Sequence, residues 1–116
     1  NEVNAKYDVG YQISRYINHQ IQHSVVDYNV DSLTLEFYTN PSTIYVKANT
    51  LQQLQQISPP YYLVIKSSEV ASLPLPSSAI ILTHMAGTTV DKVMSNLLSR
   101  PRLKDYLIDY SVILVQ

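Results

Sequence analysis

The 116-residue chain has no cysteine and no tryptophan, and only two glycines, Gly10 and Gly87. Without cysteine there are no disulfides, no thiolate metal ligands and no thiol nucleophile. With so few glycines neither a dinucleotide-binding fingerprint nor a P-loop can be written, because both need glycine where backbone closes on phosphate. Charge is sparse: Asp, Glu, Lys and Arg make up 15% of the residues, mixed in sign, with a net charge of −1. No basic stripe exists to neutralise a phosphate backbone, so no nucleic-acid partner is expected; a polybasic membrane patch is missing too. No apolar run approaches the roughly 20 residues that span a bilayer, and no signal-peptide pattern is present. The chain begins with Asn1, not Met, as expected of a piece of a longer protein.

What remains suits one domain. An apolar fraction of 46% supports a packed core, and a chain of this length buries roughly 65% of its unfolded surface. Ten tyrosines stand against one phenylalanine. Tyrosine buries its ring while its hydroxyl seeks a partner, which suits a thin domain with a shallow core.

Along the chain, strand-like and helix-like segments alternate. Val9, Ile13, Ile17 and Ile21 recur at four-residue steps, with Tyr16 on the same face, and predict a helix over 4–22. Ser24 to Val30 is β-prone. In residues 31–38, Leu33, Leu35 and Phe37 alternate with polar residues and favour a strand; Val30, Leu33 and Phe37 also fit a helical stripe, with Asp31 as N-cap. After the turn at Asn40-Pro41-Ser42, Thr43–Lys47 reads as a strand. Asn49 or Thr50 caps a helix from Leu51 to about Ile57, which Pro59-Pro60 ends.

Tyr61–Lys66 is the strongest strand, apolar nearly throughout, as at the centre of a parallel sheet. A short helix to Leu73 follows, then a strand over Ala79–Thr83, a helix over about 89–98, another turn or two of helix over 102–109, and a closing strand over Tyr110–Val115. The expected fold class is α/β: a single domain over residues 1–116 with a mostly parallel sheet of four to five strands, helices on its faces and a Rossmann-like topology, the last strand antiparallel at an edge.

Chemistry is thin. His19 and His23, four apart on the expected helix, share a face as zinc ligands do, and His84, Asp27 or Asp31 could complete a set; two residues of a four-ligand site read far better as a solvated face beside Gln20 and Gln22, and no metal or cofactor is expected. Serine, histidine and aspartate are present but no Gly-x-Ser-x-Gly elbow, and no catalytic residue is assigned. The most site-like segment is His84-Met85-Ala86-Gly87-Thr88-Thr89, placed between a strand and a helix, where α/β proteins bind ligands. His84, Gly87, Thr88 and Thr89 are its ligand candidates, although helix capping alone explains the threonines. Asp105 and Asp109, beside Arg102 and Lys104, form a solvated carboxylate pair, and Tyr61, Tyr62, Tyr106 and Tyr110 suit core and rim packing better than a sugar-stacking platform.

One ordered set of segments resembles a known family. Val25-Val26-Asp27-Tyr28, Asp31–Tyr38, the strand Ile44-Tyr45-Val46, the helix around Leu51–Leu54 and the unit Tyr61–Leu73 are similar to the soluble domain that follows the last membrane helix in lipid-linked-sugar glycosyltransferases, the superfamily of aminoarabinose transferases and protein mannosyltransferases. The likeness covers residues 11–73 well and the rest loosely. Thr39-Asn40-Pro41 replaces the glycine or arginine that often follows Phe-Tyr in that family. The resemblance implies that Phe37-Tyr38 end a short helix, against the alternation. It implies an extracytoplasmic accessory domain whose catalytic carboxylates lie upstream, in the membrane portion of the same polypeptide. That membrane portion would be its partner, with a lipid-linked sugar or its acceptor as a second. The competing expectations are a free-standing binding module of unknown ligand and a small enzyme with a polar pocket near His84–Thr89.

Overall fold

A computed structural model describes residues 8–87 and 107–116. The elements in chain order are α1 (Val9–Asn18), β1 (Ser24–Tyr28), α2 (Leu33–Tyr38), β2 (Tyr45–Ala48), α3 (Leu51–Gln55), β3 (Tyr61–Lys66), a 3-10 helix (Ser67–Ser72), β4 (Ile80–Gly87) and β5 (Ile108–Val115). The helix expected over about 89–98 lies outside the described residues.

The α/β class and the two-faced layering hold, but the sheet is mixed. Its order is β2-β1-β3-β5-β4. β1 pairs parallel with β2 and β3, while β5 pairs antiparallel with both β3 and β4, so half of the pairings depart from the mostly parallel expectation. β5 is antiparallel as read, yet it lies inside the sheet, and β4 takes the edge. The reason is visible in its residues: Tyr110, Ser111, Val112, Ile113 and Val115 are all buried, as required of a strand covered on both faces. Tyr61–Lys66 sits third of five, with every residue but Lys66 buried.

Alternation along the strands divides the core. Tyr62, Val64, Tyr110 and Val112 pack with Val9, Ile13 and Ile17 of α1 and Leu35 of α2 on one face. Tyr61, Leu63, Ile65 and Ile113 pack with Leu54 of α3 and with Val70, Leu73 and Leu75 on the other.

α1 is shorter than expected. Asp8 caps it, its carboxylate accepting from the Gly10 amide at 3.0 Å. It ends at Asn18, where the His19 and Gln20 amides close a last turn on the Tyr16 and Ile17 carbonyls; beyond it the Tyr62 hydroxyl donates to the Ile21 carbonyl and Gln22 Nε2 to the Ser42 carbonyl at 3.0 Å. Ile21, expected on the buried face, is 79% exposed.

Residues 33–38 are helical, not extended. Asn29 and Asp31 take left-handed backbone (φ 57° and 60°), a conformation that Asn and Asp tolerate better than most residues. The turn is pinned by Asp27 Oδ1, which accepts from the Val30 amide at 2.9 Å. Ser32, one residue after the Asp31 considered from sequence, is the N-cap, accepting from the Leu35 amide at 3.2 Å. Only Leu35 is buried; Leu33 and Phe37 are 76% and 78% exposed, so the alternation that suggested a strand marks no buried face. α3 opens on a reciprocal cap: Thr50 accepts from the Gln53 amide, and Gln53 Oε1 accepts from the Asn49 amide.

Candidate functional site

The reversal of β5 assembles the most concentrated polar cluster among the described residues. β3 ends at Lys66, so Ser67 stands at its carboxyl end. β5 begins beside it, and the register pairs Lys66 with Tyr110 and His84 with Ser111. Strand alternation puts Asp109 and Ser111 on the face opposite Tyr110, and His84 joins them from β4. A register shift interrupts the β4–β5 pairing between Ile81 and Thr83.

Four side chains converge. Ser67 donates to Asp109 Oδ2 and lies 2.7 Å from the Ser111 hydroxyl. His84 Nδ1 is 3.1 Å from both Asp109 Oδ2 and Ser111 Oγ, and 3.4 Å from Ser67 Oγ. One proton assignment satisfies the set: His84 Nδ1–H and Ser67 O–H both donate to the carboxylate, and Ser111 O–H donates to Ser67. Ser111 is fully buried, whereas His84 and Asp109 are half exposed, so their ion pair adds little to stability.

This arrangement differs from a Ser-His-Asp triad. A triad needs serine at one imidazole nitrogen and aspartate at the other. Here the carboxylate and both serines crowd Nδ1, and Ser67 donates its hydrogen bond to Asp109 and not to the imidazole, so His84 is not placed as the base of a triad. The geometry instead resembles the way a carboxylate fixes the tautomer of a histidine and aims its second nitrogen outward. Among the described residues no hydrogen bond engages Nε2, and no group of three His, Cys, Asp or Glu could hold a metal. One turn along the 3-10 helix, Glu69 Oε2 is buried and has no hydrogen-bond partner among the described residues.

The expected ligand segment is thus relocated. His84 and Gly87 belong to β4 rather than to a strand–helix loop, because β5 carries the pairing on through Ala86–Asp109 and Gly87–Ile108; Thr88 and Thr89 lie outside the described residues. Asp109 belongs to β5 rather than to a helical turn, and Asp105 and Tyr106 lie outside the described residues. From sequence Ser67 or Ser68 suits only a cap for the short helix to Leu73, yet Lys66 holds the cap position of the 3-10 helix and no side chain caps it; Ser111 is not singled out, and the apolar character of 110–115, which marks β5 as an interior strand, is the signal that would have joined both serines to His84.

The other candidates disperse. His19 caps the end of α1 with Nδ1 2.7 Å from the Arg15 carbonyl, and His23 lies beyond the helix with its ring 5.3 Å from that of Tyr62; they share no helix face. Asp27 is buried and committed to structure, its Oδ2 accepting from the Tyr45 hydroxyl at 2.7 Å. Burial, then the hydrogen bond to Asp27 and the charges of Asp27 and Glu36, push the Tyr45 phenol far above the ordinary tyrosine range. Tyr61, Tyr62 and Tyr110 are core residues, each raised chiefly by burial. An open groove of about 170 Å³ lies on the same face as the cluster, between α3 and the segment Leu73–Pro76, lined by Leu54, Ile57 and Tyr61 among others; none of the four clustered side chains lines it. No known protein family, curated protein or solved structure matches the chain.

Proposed function

We propose that the chain is the extracytoplasmic accessory domain of a polyprenyl-phosphate-sugar-dependent membrane glycosyltransferase, non-catalytic by itself and partnered by the membrane portion of the same polypeptide. The observation that carries this reading is the helix Leu33–Tyr38. The resemblance implies a helix ending at Phe37-Tyr38, where the residue pattern leans to a strand but also fits a helical stripe, and a helix over Leu33–Tyr38 supports the reading. The strand–helix unit Tyr61–Ser72 fits the same template. The parallel β2-β1-β3 half, joined by α2 and α3, supports a Rossmann-like kinship for that part of the sheet. The arrangement of Ser67 on the wrong side of His84 for nucleophilic attack supports a non-catalytic role. No helix of the described residues is long and apolar enough to cross a membrane.

The test is the reading frame upstream of Asn1. About eight or more apolar segments of roughly 20 residues are expected there; an initiation codon within a few residues of Asn1 would overturn the proposal. The cluster of Ser67, His84, Asp109 and Ser111 favours a second reading, a free-standing binding module, and that outcome would leave it standing.

A further inference from the structure

We draw no further inference here: the strongest candidate, the outer edge of β4, where Ile80 and Ile81 stand half exposed at the margin of the sheet, carries nothing, because nothing in the structure shows what covers it.

Discussion

Gly10→Ala is the sharpest test of how the first face of the domain is packed. Gly10 lies in the first turn of α1, where alanine would ordinarily help a helix by up to about 1 kcal/mol. Here a Cβ would stand 2.2 Å from both Ser32 Oγ and Thr34 Oγ1 and 2.5 Å from the Leu35 amide nitrogen. The two hydroxyls could rotate, but Leu35 N is backbone and belongs to the cap of α2. α1 must therefore move off α2. The same movement strains Asp8, whose carboxylate accepts from the Gly10 amide and, at 2.6 Å, from the Thr34 hydroxyl. Overpacking costs about 1–3 kcal/mol, and a weakened cap adds about 1 kcal/mol. Offset by the helix preference, the net loss is about 1–3 kcal/mol, or a fall in Tm of roughly 4–12 °C for a domain of this size. Urea and thermal unfolding followed by circular dichroism measure it. A variant as stable as the parent, or more stable, would refute the close crossing of α1 and α2.

Tyr45→Phe should cost about 1–3 kcal/mol, because it strips Asp27 Oδ2, 2% exposed as a residue, of its phenol donor; urea midpoints of parent and variant decide it, and a neutral result would contradict the pairing. Tyr45, Tyr61, Tyr62 and Tyr110 are all raised in the folded chain, so the folded state holds protons that the unfolded state releases from about pH 10 upward. Their contribution is complete below that pH and is lost as the pH climbs from there toward the folded values. The urea midpoint should hold steady up to about pH 9.5 and then fall, and a midpoint that stays level or rises to about pH 11 would contradict it. His84→Ala should change stability by no more than about 1 kcal/mol, since the His84–Asp109 pair is half exposed; thermal melts showing a much larger loss would mean the cluster is a structural keystone.

The sequence makes some of this plain and hides the rest for identifiable reasons. Tyr61–Lys66 announces itself because burial on both faces demands an unbroken apolar run, and the structure puts it at the centre. The four-residue spacing of Val9, Ile13 and Ile17 likewise finds α1, but Ile21 continues the same spacing after the helix has ended, because apolar spacing carries no information about where the chain turns. Residues 33–38 are ambiguous in composition; capping by Ser32 and the left-handed Asp31 decide for helix, and those are matters of backbone geometry. The position of β5 depends on pairing across 42 residues of chain, as between Ser67 and Asp109, and local pattern cannot report it. That is why the loop expected at 84–87 is the second half of a strand, and why the polar cluster was legible only as separate residues.

The insertion of β5 between β3 and β4 creates that cluster, and nuclear Overhauser contacts of Ile113 examine it most directly. Ile113 should show backbone contacts to Leu63 on one side and to Ile81 on the other. Contacts to only one of the two would place β5 at a margin of the sheet and separate Ser67 from His84.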